Sequence, residues 1–193
     1  MPPDPRAPDA KASRLFVAFT VGDAALDEVG RAIEPWRARF PEARWVPREN
    51  MHVTLKFLGR TLPSLEPWVR QQIGTMAAGH GPVASRLTGL GSFPSAARAR
   101  VLWMGIEDPE GAFARLAAAL DAALEESFAP ETRPFSPHLT VARSDLPLKL
   151  DAGSTRTPVE PVGFHVEEIV LYRSHLGRPA PRYEPVATYA LEG

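Results

Sequence analysis

Apolar residues recur along the chain with two different periods, which divide it into predicted helices and strands. Helical spacing predicts three helices, over residues 23–40, 64–79 and 108–128. Asp23 is placed to cap the first helix, Pro35 predicts an end or a kink within it, and Gly79 marks the end of the second. Strand-like apolar runs lie at RLFVAFTV (14–21), VASRLTGLGSF (83–93), RVLWMGI (100–106), FHVEEIVLYRS (164–174) and EPVATYAL (184–191).

Two further strand-like runs each contain one histidine followed two residues later by a threonine. They are MHVTLKFLG (51–59) and SPHLTVARS (136–144), and a polar loop is predicted from about 144 to 163. The order of all these elements predicts an α+β chain made of two similar lobes.

Residues two apart in a strand point to the same side, so each motif presents an imidazole and a hydroxyl together. His52 and Thr54 share one face, and His138 and Thr140 share another. If the two strands are neighbours, all four side chains converge on one pocket.

This set of side chains suits metal-free phosphoryl transfer. One imidazole can accept a proton while the other donates one, because histidine titrates near neutral pH. Threonine hydroxyls can donate hydrogen bonds to the charge that develops on phosphoryl oxygens. A single His-x-Thr is most often only a strand with a polar face, so the repetition carries the hypothesis.

Other catalytic classes find less support in the sequence. There is no His-Glu-x-x-His, no His-x-His, and no Asp or Glu within three residues of His52 or His138, so no metal ligand cluster is predicted. A Ser-His-Asp triad lacks its Gly-x-Ser-x-Gly elbow. The remaining histidines are interpreted as solvated: His80 in a glycine-rich turn, His165 at a strand start and His175 in a loop.

Composition narrows the class of protein further. The chain has 193 residues, a formal net charge of −1 and no cysteine, which excludes thiol catalysis, disulfides and cysteine-ligated metals. A near-neutral charge argues against a protein that coats long nucleic acids but permits a small phosphate-gripping patch. No apolar run approaches the length of a membrane span, and no hydrophobic segment near the N-terminus suggests a secretory signal. A cytoplasmic protein without a membrane partner is expected.

The proline-rich start of the chain predicts a disordered tail over residues 1–13. No linker divides the remainder, so residues 14–193 are predicted to form a single bilobal domain.

ENMHVTLKFLG and, further along, RPFSPHLTVARS resemble the two-histidine phosphoesterases, and more narrowly the RNA 2',3'-cyclic phosphodiesterases, also called 2'-5' RNA ligases. RLFVAF, RWVPREN, LTGLGSFP, RVLWMGI and VLYRSHLG have the same family character. The resemblance implies a bilobal α+β fold in which two antiparallel sheets flank a central groove, with helices outside and a pseudo-twofold axis between the lobes.

The resemblance also implies roles for individual residues. His52 would be the proton donor to the leaving ribose oxygen and His138 the proton acceptor from water. Thr54, Thr140 and Arg143 would bind the phosphate. No metal or organic cofactor is implied, and a monomer is expected. Lys56-Phe57 in the first motif leaves a symmetric partner to Arg143 unassured.

Three functions are compatible with these residues. The first is hydrolysis of RNA or nucleotide 2',3'-cyclic phosphates to 2'-phosphomonoesters, with 2'-5' ligation as a side or reverse activity. The second is hydrolysis of a small cyclic nucleotide such as ADP-ribose cyclic phosphate. The third is an RNA-end-binding module without catalysis. Candidates for further contacts with the RNA backbone are Arg98, Arg100, Arg133 and Arg182. Phe93 and Phe135 could stack on a base, but a role in the core is the preferred interpretation for both.

Overall fold

A computed structural model of the chain describes residues 12–150, 159–177 and 180–193. The described part contains three α-helices and nine strands. The helices are α1 (Asp23–Arg39), α2 (Glu66–Ala78) and α3 (Ala112–Leu124). The strands are β1 (Ser13–Phe19), β2 (Arg44–Trp45), β3 (Val53–Thr61), β4 (Val83–Phe93), β5 (Ala99–Ile106), β6 (His138–Leu148), β7 (Gly163–Val166), β8 (Glu168–His175) and β9 (Arg182–Ala190).

The strands form one continuous antiparallel arrangement whose order has an internal symmetry. The order is β7-β4-β5-β6-β3-β1-β8-β9, and the short β2 adds to β6. The sheet has two halves, β7-β4-β5-β6 and β9-β8-β1-β3. In each half the strand that carries a histidine motif, β6 or β3, is the last one listed, so these two strands are neighbours at the centre of the whole sheet. They meet through one residue pair, Val53 with Leu139. The predicted bilobal α+β fold with its pseudo-twofold duplication is therefore confirmed, with its two sheets joined at that pair.

The helices pack with their apolar faces against the rest of the protein. In α3 the residues Phe113, Leu116, Leu120 and Leu124 recur at helical spacing and are all buried. This helix packs against β3 and α2, while α2 also packs against β9 and α1 contacts β7. The core is a single continuous cluster of buried apolar side chains that runs through both halves.

One predicted strand is two strands in the structure. Residues 164–174 were expected as a single element, but β7 pairs with β4 whereas β8 pairs with β1. The two segments therefore lie in opposite halves of the molecule, and the chain crosses between the halves at Glu167. The polar loop predicted from about 144 likewise begins later, because β6 continues to Leu148.

The starts of two helices differ from the prediction. Gly22, not Asp23, occupies the cap position of α1, and Pro35 lies inside this helix without ending it. The third helix is preceded by a 3-10 turn at Pro109–Gly111, where Glu110 and Gly111 have φ of 52° and 72°. This left-handed backbone interrupts the helix, and the Asp108 carboxylate accepts the N–H groups of Phe113 and Ala114 at the new start.

The predicted tail lies almost entirely outside the described residues, and Ser13 already belongs to β1. His175 also differs from expectation: it is the last residue of β8 and bonds Glu184 rather than lying in a loop. Among the described helices, none is long and apolar enough to cross a membrane.

Candidate active site

The pairing of β3 with β6 brings the two histidine motifs together. Val53 lies directly opposite Leu139 in an antiparallel pair, and both side chains are buried. Extending this register by one residue in each direction sets His52 across from Thr140 and Thr54 across from His138. Opposed residues project to the same face of a sheet. The four predicted side chains, all partly exposed, therefore lie on the face opposite the buried Val53 and Leu139.

Both imidazoles are held by the same backbone contact. His52 Nδ1 lies 2.8 Å from the carbonyl oxygen of Asn50, and His138 Nδ1 lies 2.8 Å from that of Ser136. A carbonyl only accepts, so each Nδ1 carries the hydrogen and donates it. Each Nε2 is then the ring nitrogen available to exchange a proton.

A β-bulge turns Arg143 toward the same face. Five residues separate Arg143 from His138, an odd number that would set them on opposite faces of a regular strand. The register with β5 passes from Thr140 opposite Trp103 to Ala142 opposite Leu102, so Val141 is an extra residue on β6. Val141 and Ala142 are both buried, and Arg143 returns to the exposed side.

The first motif contains the matching bulge. The register of β3 with β1 passes from Thr54 opposite Ala18 to Lys56 opposite Val17, so Leu55 is the extra residue. Phe57 therefore occupies the place that Arg143 occupies in the second motif. It is 71% exposed, an unusual position for a phenyl ring. The question left open by Lys56-Phe57 is answered: the counterpart of Arg143 is an aromatic ring.

Aromatic side chains from three strands surround His52. Its ring centroid lies 4.9 Å from that of Phe16, 5.1 Å from that of Tyr183 and 6.3 Å from that of Tyr172. The pKa of His52 is lowered from its ordinary value of 6.5 to about 4, chiefly by burial and to a smaller extent by the charge of Arg143, while the bond to the Asn50 carbonyl opposes both. Arg143 is therefore close enough to act electrostatically on this imidazole.

His138 has aromatic neighbours of its own. The ring of Phe93 meets it edge-on at 5.2 Å, and that of Trp103 lies 6.2 Å away. Trp103 lies flat over Gly91, since a Cβ there would fall 2.1 Å from the indole Cζ2. Phe93 is 39% exposed, so its interpretation as a core residue was wrong. Phe135, by contrast, packs against the core as a partly buried side chain.

The sequence analysis missed most of the aromatic residues around the imidazoles. Phe16, Tyr172 and Tyr183 lie in β1, β8 and β9, and nothing in those segments marks them as site residues. Phe57 alone left a signal, since aligning HVTLKF with HLTVAR puts it level with Arg143.

Of the four other candidate arginines, Arg100 lies nearest the second motif, where it bonds the Asp145 backbone on β6. Arg133 pairs with Glu131 and Arg182 with Glu184, while Arg98 ends a 3-10 turn before β5. In the part of the chain that the structure describes, no group of three or more His, Asp or Glu side chains is placed to hold a metal ion.

Comparison with known proteins identifies the family. Residues 25–178 match the family model of the 2'-5' RNA ligase superfamily. An RNA 2',3'-cyclic phosphodiesterase of Thermus thermophilus is 33% identical over 192 residues, covering 93% of this chain and 91% of that protein. An RNA 2',3'-cyclic phosphodiesterase of Geobacillus stearothermophilus is 30% identical over 186 residues. That match covers 95% of this chain but only 59% of the Geobacillus protein, which is longer.

Solved structures agree with this result. Escherichia coli LigT complexed with 3'-AMP superimposes with a TM-score of 0.78 at 27% identity, covering 95% of this chain and 100% of that one. The fold and the paired motifs define a two-histidine phosphoesterase. The chain belongs to the 2'-5' RNA ligase superfamily, as its two motifs predicted.

Proposed function

We propose that this protein hydrolyses the 2',3'-cyclic phosphate at an RNA or nucleotide end to a 2'-phosphomonoester. The observation that carries the proposal is the joint placement of His52, Thr54, His138, Thr140 and Arg143 on one face of two adjoining strands. The names of the similar proteins support the same reaction. Ligation through a 2'-5' bond is the related side or reverse reaction, with an RNA 5'-hydroxyl in place of water.

The proposed proton transfers use the Nε2 nitrogens, since each Nδ1 is bonded to a backbone carbonyl. His138 Nε2 accepts a proton from water as the water oxygen bonds to phosphorus. The bond between phosphorus and the ribose 3'-oxygen breaks, and His52 Nε2 gives its proton to that oxygen. Thr54, Thr140 and Arg143 donate hydrogen bonds to the remaining phosphoryl oxygens, whose charge grows in the transition state. The two imidazoles then exchange protons with solvent to return to their starting states.

The depressed pKa of His52 makes its acid role depend on the substrate. With a pKa of about 4, only about one molecule in a thousand carries this proton at pH 7. A bound phosphate anion favours the charged imidazole and offsets the positive charge of Arg143. The proton donor is therefore formed when the substrate anion binds.

Phe57 offers a surface for the nucleobase. A ring exposed to solvent on the same face as the phosphate-binding side chains costs free energy unless a ligand covers it. Stacking of a base on an aromatic ring tolerates any base, which suits an enzyme that acts on RNA ends of varied sequence. From its composition the protein is further proposed to be cytoplasmic, and from its family resemblance to need no cofactor; we also propose a monomer.

The test is turnover of a cyclic 2',3'-mononucleotide, with phosphorus NMR of the product. We expect the 2'-monophosphate alone and full activity in EDTA. An even mixture of 2'- and 3'-phosphates would overturn the assignment of roles, and activity lost to EDTA and restored by a divalent ion would overturn the metal-free mechanism. Turnover of ADP-ribose cyclic phosphate alone, or of neither substrate, would favour one of the two other functions.

A further inference from the structure

Two further arginines, Arg44 and Arg100, lie beside Arg143 at the end of the candidate site. Arg44 on β2 is the register partner of Arg143 on β6. The Arg44 guanidinium forms an ion pair with the Asp145 carboxylate. Arg100 Nη1 donates to the backbone carbonyl of Asp145 at 2.8 Å. We call Arg44 and Arg100, together with the Asp145 between them, the arginine track.

Arg44 and Asp145 of the arginine track continue the face that carries the histidines, and Arg100 reaches the Asp145 backbone from β5. Opposed residues of an antiparallel pair share a face, so Arg44 projects with Arg143. Asp145 lies two residues after Arg143 and shares that face by the alternation of the strand. Arg143 itself lies close enough to His52 and Tyr183 for its charge to act on both. A ligand that follows β6 away from the imidazoles therefore meets Arg143 first and the arginine track next.

The charges in the arginine track are accessible and poorly neutralised. The side chains of Arg44 and Asp145 are 56% and 79% exposed, and Arg100 is also exposed. Arg44, Arg100 and Arg143 together carry three positive charges, and Asp145 supplies one negative charge beside them, so positive charge is in excess. An exposed ion pair contributes at most about 1 kcal/mol, so a phosphate can displace Asp145 from Arg44 at little cost.

We propose that the arginine track binds the phosphodiester groups of the RNA chain on the 5' side of the cyclic end. The proposal rests on the proposed function, which places the terminal cyclic phosphate between His52 and His138. An RNA chain carries one phosphate per nucleotide, and arginine is the residue that binds phosphate oxygens in pairs. The arginine track would make the protein prefer RNA ends to free cyclic mononucleotides.

The experiment compares two substrates: a cyclic 2',3'-mononucleotide and a trinucleotide with the same cyclic end and two internal phosphodiesters. We expect a higher kcat/KM on the trinucleotide. If both internal phosphates bind, log(kcat/KM) should fall more steeply with log salt for the trinucleotide, by about 1.4 in slope, since single strands contribute about 0.7 per phosphate. Equal slopes for the two substrates would overturn the proposal without any variant.

The double variant Arg44→Gln, Arg100→Gln should lower the ratio of the two kcat/KM values by about tenfold or more, since each lost contact is charged. Asp145→Asn should raise the ratio, because the competing carboxylate is gone. Arg86→Gln is the matched control: its side chain is 55% exposed and paired with Glu107, but it lies on β4 opposite β7, away from the histidines. An unchanged ratio in the double variant, or an equal fall in the control, would contradict the proposal. Failure of the wild type on both substrates would instead refute the proposed function.

Discussion

At the scale of residues, the two imidazoles share one backbone contact but have different surroundings. Each Nδ1 donates to a carbonyl two residues earlier in the chain. Only His52 packs among three aromatic rings with Arg143 nearby, and this environment disfavours its charged form. The sequence repeat therefore places two imidazoles in different surroundings, and those of His52 lower its pKa.

The low pKa of His52 predicts the result of a direct titration. The His52 ring in the free protein should titrate near its pKa of about 4, and a bound 2'-nucleotide should raise that pKa. Arg143→Gln should also raise it in the free protein, because a repelling positive charge is removed. Proton NMR of the histidine rings measures both effects. The His80 ring, which bonds Met76 on α2, serves as a control that should not respond to the nucleotide.

Removal of either imidazole should abolish most of the turnover. His52→Ala and His138→Ala should each lower kcat by about two to four orders of magnitude, the usual scale for a positioned acid or base. Thr54→Ala and Thr140→Ala should cost less, since the proton-transfer pair remains. Steady-state assays on a cyclic mononucleotide measure these losses, with His80→Ala as the control. Wild-type turnover in either histidine variant would contradict the mechanism.

Phe57 predicts an effect on binding rather than on chemistry. Phe57→Ala should raise KM for a cyclic mononucleotide by about fivefold or more, since a base loses about 1–3 kcal/mol of stacking. The value of kcat should change little. Leu62→Ala provides a control at another exposed apolar side chain, 58% exposed and outside the two motifs. A fall in kcat with unchanged KM would show that Phe57 does not bind the base.

At the scale of elements, the strands were largely predictable and their partners were not. The run at 83–93 coincides with β4, because apolar alternation and flanking turns are local signals. The split between β7 and β8 leaves no local signal, since both halves of FHVEEIVLYRS have strand character. Which strand each half joins depends on tertiary packing.

The candidate site shows the same division. The histidines and threonines were predictable because one strand segment contains each pair. The aromatic neighbours were not, because Phe16, Tyr172 and Tyr183 reach His52 only after β1, β8 and β9 have assembled beside β3. The bulge at Val141 also escapes prediction, although it explains how Arg143, at an odd number of residues after His138, can share the face of that histidine.

A buried ion pair joins β3 to α3 behind the candidate site. Lys56 is 5% exposed, pairs with Asp121 and donates to the carbonyl of Ala129. Asp121 also accepts the N–H of Glu131 and so holds the segment that leads toward His138. Asp121→Asn should lower the free energy of unfolding by about 1–3 kcal/mol, because Lys56 loses its counterion in a buried place. Urea unfolding measures this loss.

The matched comparison is Asp145→Asn, which removes a carboxylate that is 79% exposed. That change should cost less than about 0.5 kcal/mol. Equal losses in the two variants would show that burial of Lys56 does not strengthen the pair.

At the scale of the whole molecule, the buried imidazole links stability to pH. The pKa of His52 is 6.5 when unperturbed and about 4 in the fold, so between these values the unfolded chain binds more protons. The stability that His52 contributes is therefore present above pH 6.5 and is lost as pH falls toward 4. Each unit of difference corresponds to about 1.4 kcal/mol, which gives an upper limit of about 3.5 kcal/mol, and because His52 is only partly buried we expect a loss of about 1–3 kcal/mol from this residue.

Denaturant unfolding at several pH values tests this expectation. Paired carboxylates such as Glu28 and Glu184 also lose their favourable interactions in acid, so the wild type alone cannot isolate His52. The variant His52→Asn keeps a polar side chain and lacks the titrating group. Its stability should fall less steeply between pH 6.5 and 4, and parallel curves for the two proteins would contradict the burial argument.

The pseudo-twofold axis between Val53 and Leu139 also bears on which ester bond is cleaved. Rotation about this axis exchanges the positions of the two imidazoles. If the surroundings of the two motifs were also identical, a cyclic phosphate could bind in two orientations that interchange its two ribose oxygens. Phe57 and Arg143 occupy equivalent places with opposite chemical character. This mismatch would give the groove a direction, because a nucleoside cannot exchange its flat base with its anionic neighbour. The polarity of the reaction would then be encoded at a pair of positions where the two halves of the molecule differ.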